Sequence, residues 1–84
     1  MTWKVHWLHP AENQLAALWV YAPDRKAITE SADQIDQLLA SEPLDCGVVY
    51  RNWRILFQGV LTVNYIVVPD QLLVEVLEVK RVSQ

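Results

Sequence analysis

The chain has 84 residues, 52% of them apolar, with seven Lys and Arg against ten Asp and Glu and a formal charge of −3; this leaves room for one core and argues against generic nucleic-acid binding through a basic surface. A small excess of apolar residues over an ordinary globular composition predicts apolar surface left over for a partner. Cys46 is the only cysteine, which excludes an intrachain disulfide, and neither a basic-then-apolar leader nor a run of about 18 apolar residues is present, so the expected location is the cytoplasm, with no membrane partner. The charge is uneven: residues 1–46 hold three basic and seven acidic groups, residues 47–84 four basic and three acidic. Any anion site belongs in the second half.

In chain order, "TWKVHWL" alternates Trp3, Val5 and Trp7 against Lys4 and His6 and predicts a half-buried strand over residues 2–8. Pro10 suits a first helical position and Glu12 the first turn, near the positive end of the helix dipole. Ala11, Leu15, Leu18 and Ala22, broadened by Trp19, predict an amphipathic helix over residues 10–22. Pro23 stops it. Asp24 is placed to cap a second helix that carries Ile28, Ala32, Ile35 and Leu39 on one stripe and runs to about Ser41. Two such helices with almost no linker predict a hairpin packed on one surface.

The turn cluster "SEPLDCG" ends the helical part, and "VVY", "WRILF", "VLTVNYIVV" and "LLVEVLEVKRV" follow, separated by "RN", "QG" and "PDQ". Links that short make neighbouring strands antiparallel, since a parallel pair needs a crossover of about a dozen residues. The predicted fold is α+β, β-α-α-β-β-β(-β), one domain over residues 1–84 with a helical hairpin on one face of a twisted antiparallel sheet.

This pattern resembles the RelE/ParE superfamily of bacterial toxins. "HWLHPAENQLAALWVYA" is similar to the family's opening strand and helix, and "DRKAITESADQIDQLLASEPLDCG" to its second helix. "WRILF", "LTVNYIV" and "LLVEVLEVKR" are similar to the arginine-bearing strand, its successor and the closing strand that ends in a basic residue. The resemblance implies the toxin half of a type II toxin–antitoxin module, of the kind tied to plasmid stabilisation and growth inhibition. Its partners would be a cognate antitoxin and a target that is either DNA gyrase, for a ParE-like member, or the ribosome with mRNA, for a RelE-like endonuclease. No cofactor is implied, and self-association of the free chain is expected. A third reading is a non-toxic interaction module that kept the fold, because fold alone does not select function.

RNA cleavage by a 2′-hydroxyl needs a base, an acid and cations that hold the phosphorane charge. Arg54 and Arg81 occupy the positions at which the resemblance implies arginines, Lys80 is adjacent, and a guanidinium fork can bind two phosphate oxygens while staying protonated. Arg54 ranks first as an anion contact, then Arg81, with Arg51 and Lys80 behind. RelE-like chains generally continue to a functional Tyr or His, whereas this one closes on "KRVSQ"; Glu75 and Glu78 are left as candidate bases. That gap and the acidity favour the ParE-like or diverged reading. The bland alternative is that alternation sets Arg54 with Leu56 and Gln58 on the less buried side of a strand, opposite Trp53, Ile55 and Phe57, where an arginine is ordinary. His6 and His9 lack companion ligands, so no metal site is expected, and Cys46 lacks a basic neighbour that would activate it. Trp19 and Trp53 read as core residues, and two glycines, Gly47 and Gly59, do not make a phosphate loop.

Overall fold

In the computed structural model, which describes residues 2–82, the chain forms β1 (Lys4–Trp7), α1 (His9–Tyr21), α2 (Arg25–Ser41), β2 (Val48–Tyr50), β3 (Trp53–Gln58), β4 (Leu61–Val68) and β5 (Leu73–Arg81). Each element lies within two residues of its predicted bounds. Ser83 and Gln84, the end of the "KRVSQ" tail, lie outside the described residues. The five strands form one sheet in the order β1-β5-β4-β3-β2. Strands joined by short links are antiparallel, and β1 adds parallel to β5, with Val5 beside Val74 and Trp7 beside Val76. The sheet is therefore mixed: everything between β1 and β5 serves as the long crossover that a parallel pair requires.

Alternation in β4 and β5 decides which face is covered. Leu61, Val63 and Tyr65 on β4 and Val74, Val76 and Val79 on β5 are buried, and Ile28, Ala32, Ile35 and Leu39 of α2 are buried in the same cluster. A register shift between Asn64 and Tyr65 leaves Leu77 as an extra residue in β5. Such a bulge reverses which side the next residues face. Val79 is thereby returned to the core, and Arg81 comes to the helix side with it rather than with Leu77.

The hairpin is held by few but well-placed bonds. Ser31, buried within α2, donates to the Ala27 carbonyl at 2.7 Å and accepts from the Val60 amide at 3.0 Å, fastening the β3–β4 turn to the helix. Gly59 in that turn has φ +59°, and a Cβ there would lie 2.2 Å from Ser31 Oγ, so both backbone conformation and close approach require glycine. Where β1 ends, Gln14 Oε1 accepts the Val79 amide at 2.9 Å, satisfying a donor on the otherwise unpaired stretch of β5. Asp24 does occupy the position before α2, but its side chain makes no capping bond. It is engaged by Arg81 instead.

Two expectations about packing are corrected. Trp19 is 43% exposed, because it is one residue on from Leu18 and so about 100° around α1 from the stripe that faces inward. On β3, Leu56 is the buried residue and Phe57 is 65% exposed. The covered side is thus the one bearing Arg54, Leu56 and Gln58, and Trp53 is half-buried on the outer side beside Tyr50. Three apolar residues against one would predict the reverse, but β3 is registered on β4 with Leu56 opposite Val63, and β4 has the stricter alternation.

Because Ile35 is fully buried in the α2 stripe, Ile35→Ala should destabilise the protein by roughly 2 to 5 kcal/mol, read from urea unfolding. A loss below about 0.5 kcal/mol would be a surface value and would contradict the packing.

Candidate functional site

Arg54 stands at the start of β3, directly opposite Tyr65 of β4, where α2 has ended and the loop to β2 folds over the sheet. Its Nη1 donates to the Leu44 carbonyl at 3.2 Å. That loop is fastened from below: the Tyr65 hydroxyl donates to the Pro43 carbonyl at 2.7 Å, and Cys46 Sγ lies 3.7 Å from the same oxygen. Burial, with Cys46 as the next cause, pushes the Tyr65 phenol well above its ordinary range, so it is a neutral donor at physiological pH. Gly47 is needed here for space, since a Cβ would lie 2.2 Å from the Tyr65 hydroxyl.

Arg51 occupies the two-residue turn between β2 and β3 with φ 59°, a left-handed conformation that a non-glycine residue adopts with some strain. Its guanidinium lies 5.5 Å over the Tyr50 ring. Arg51 and Arg54 line one shallow cavity of about 280 Å³ whose walls include Leu44, Val49, Trp53 and Val67. Among the described residues neither has a carboxylate within 4.0 Å. The arrangement can hold an anion: two fixed cations beside low-dielectric walls attract phosphate or carboxylate more strongly than a solvated rim would.

The other sequence candidates lie elsewhere. Arg81 shares the helix side with Arg54, yet it is opposite Leu61 while Arg54 is opposite Tyr65. Four residues along β4 and two strand spacings put the two arginines roughly 13 Å apart in one direction and about 10 Å in the other. Arg81 instead makes a bidentate pair with Asp24, at 2.9 and 2.6 Å. Arg54 and Arg81, the two residues ranked first as anion contacts, therefore do not share one pocket. Arg51, ranked low, is the arginine that joins Arg54. Lys80 faces the outer side and pairs with Glu78 at 3.0 Å, while Glu75 lies on the same outer side and Glu78 is further bonded to Asn64 at 3.4 Å. His6 is exposed on β1 and His9 begins α1.

Two surfaces were not singled out in the sequence. On the outer side of the sheet, Tyr50, Trp53, Ile55 and Phe57 form an apolar half and Thr62, Asn64, Glu78 and Lys80 a polar half around a cavity of about 340 Å³. Thr62 Oγ1 is buried there with no partner among the described residues. The alternation of Trp53, Ile55 and Phe57 was the available signal, misassigned to the core. The second surface is an apolar groove of about 720 Å³ between α1, α2 and β1.

No protein-family model and no curated protein matches the sequence. Among solved structures, the fold is similar to the toxin–antitoxin complex RelBE2 from Mycobacterium tuberculosis, with a TM-score of 0.83 and 18% identity, covering 100% of this chain and 95% of that one. It is also similar to a chromosomal ParDE toxin–antitoxin system from P. aeruginosa, with a TM-score of 0.76 and 17% identity over 98% of both chains. The isolated E. coli RelE toxin matches with a TM-score of 0.68 and 10% identity, over 98% of this chain and 86% of that one. The chain has the RelE/ParE toxin fold.

Tyr65→Phe, which leaves the buried Pro43 carbonyl without its donor, should cost about 1 to 3 kcal/mol in unfolding experiments, and Gly47→Ala should cost more because the clash is with a fixed ring. The pair at the other end of the sheet gives a pH signature. The bond from Arg81 holds the Asp24 carboxyl below its ordinary value; the stability it contributes is thus present above the unfolded pKa and is lost as pH falls through the lower folded one. The difference in melting temperature between wild type and Asp24→Asn should be constant at neutral pH and shrink below about pH 4; a difference that grows with acid would contradict the assignment.

Proposed function

We propose that this chain is the toxin half of a type II toxin–antitoxin pair that inhibits growth by binding a macromolecular target and is neutralised by a protein partner encoded beside it. The observation that carries this reading is that the likeness to the three toxin-system structures runs over nearly the whole chain rather than one motif. The Arg51–Arg54 cavity is the target-contacting site, since it holds two cations with no carboxylate within 4.0 Å among the described residues and is walled on one side by the loop after α2.

Within that reading the ParE-like or diverged mode, inhibition without hydrolysis, is favoured. A ribonuclease needs a base and an acid within hydrogen-bond reach of the phosphate that Arg54 would hold. The candidate bases Glu75 and Glu78 project from the opposite side of the sheet, and Tyr65, directly opposite Arg54, is a neutral phenol. Arg81 is a positioning residue: its pair with Asp24 ties the end of β5 to the start of α2.

Induced expression should arrest growth, and co-expression of the neighbouring reading frame should relieve it. Arg54→Ala should abolish the arrest with an unchanged melt, because a strand arginine that bonds one loop carbonyl contributes little stability. Arg81→Ala should keep the arrest and lower the melting temperature. Full arrest with Arg54→Ala would remove the arginine site from the account, and an absence of arrest by the wild type would remove the toxin reading itself.

A further inference from the structure

The two edges of the sheet are built differently. At one edge, Lys4 and His6 alternate along β1, and the Trp3 N–H just ahead of it donates to the Ala40 carbonyl of α2 at 2.8 Å. Charge and a covering segment are the usual protections of an edge strand. At the other edge, the three residues of β2, Val48, Val49 and Tyr50, are 68%, 59% and 49% exposed, and none is charged or proline. The turn that follows fixes which of their backbone groups are free. Tyr50 and Trp53 face each other across the two-residue link Arg51–Asn52 as the bonded pair that closes the hairpin, so by antiparallel alternation the Val49 N–H and C=O point away from β3. Among the described residues no loop or helix backbone bonds to them.

We infer that β2 is the seam of a homodimer, in which the β2 strands of two copies pair antiparallel about a two-fold axis passing between their Val49 residues. Each Val49 then exchanges both backbone bonds with its counterpart, and the contact is self-complementary, as an isologous interface must be. Val48 of one copy falls opposite Tyr50 of the other on the outer side of the sheet, a β-branched and aromatic pair of the kind that stabilises neighbouring strands. One step further along, Arg51 comes opposite Gly47 of the second copy, with Asp45 diagonal to it on the same side. Within one chain, among the described residues, Arg51 has no carboxylate and Asp45 no cation within 4.0 Å. The two-fold axis brings each to the other, twice, and the complementary charges fix the register. A contact of this extent buries on the order of 1,000 Å², near the lower limit for specific association, so monomer and dimer exchange with concentration. Because Arg51 also belongs to the cavity assigned above to the target, self-association and target binding compete for it; that consequence alone rests on the toxin reading.

Sedimentation equilibrium of the full chain between about 10 and 500 μM should show a reversible dimer. Val49→Pro removes the outward N–H and Val49→Lys places a charge on the edge; each should weaken the dimer at least about tenfold, while Ala16→Arg in the helix groove should leave it unchanged. Arg51→Asp and Asp45→Arg should each weaken it, and the double exchange should restore it. In a Cys46→Ser background, Val49→Cys should cross-link two chains under mild oxidation, because the Cα atoms of a bonded antiparallel pair lie about 5.5 Å apart. Val48→Cys should not, since the axis sets the two Val48 residues more than about 7 Å apart. Circular dichroism checks that every variant folds. A monomer at all concentrations, a dimer that tolerates both Val49 variants but is lost in Ala16→Arg, or equal cross-linking from positions 48 and 49 would each overturn the inference. None of these results bears on growth arrest, so the toxin reading stands or falls separately.

Discussion

The alternation of β4 and β5 beneath α2 is the constraint from which the rest of the molecule follows. Leu61, Val63 and Tyr65, with Val74, Val76 and Val79, give the sheet one face that α2 can bury, and the bulge at Leu77 keeps β5 on that face after its parity would otherwise have failed. The charged side chains of β3 and β5 are then assigned by register. Arg54 and Arg81 go to the covered side, where each sits beyond the reach of α2's apolar stripe and finds a different partner, and Lys80, Glu75 and Glu78 go to the outer side. A one-residue slip of β3 against β4 would put Leu56 in solvent and Arg54 among the outer aromatics.

That constraint also explains what the surfaces look like. With one face filled by branched aliphatics and Tyr65, the surplus apolar side chains of β2 and β3 have nowhere to go but outward, and those of α1, a helix apolar on most sides, are left at the mouth of a groove. A domain of 84 residues with two apolar surfaces is built to be covered. The charges separate the two: acidic groups gather around the groove, unpaired arginines around the loop after α2, and the outer side is internally neutral. The two apolar surfaces and the arginine cavity thus differ in the charge that surrounds them.

Much of this was legible in the sequence. Element order and bounds followed from the Ile28–Ala32–Ile35–Leu39 stripe, from Pro10 and Pro23, and from turn residues between apolar runs, because those signals are local. The parallel docking of β1 on β5 was not, since nothing in "TWKVHWL" records a partner many residues away. Arg54 and Arg81 do not meet for two non-local reasons: the offset along and across the sheet that separates them, and the presence of Asp24 opposite Arg81. The outer aromatic side was missed because Trp53, Ile55 and Phe57 outnumber Leu56 on β3, and counting within one strand cannot see that its neighbour fixes the buried face.

The central claim, that the helix-covered side of β3 carries Arg54, Leu56 and Gln58, is tested most directly by side-chain NOEs in solution. Gln58 Nε2 lies 2.9 Å from Gln34 Oε1 of α2, so the Gln58 amide protons should show contacts to α2 side chains, and the Phe57 ring should show none to α2 and contacts to Thr62 of β4 instead. Strong contacts from the Phe57 ring to α2, with Gln58 and Leu56 free of it, would reverse the face and with it the assignment of Arg54.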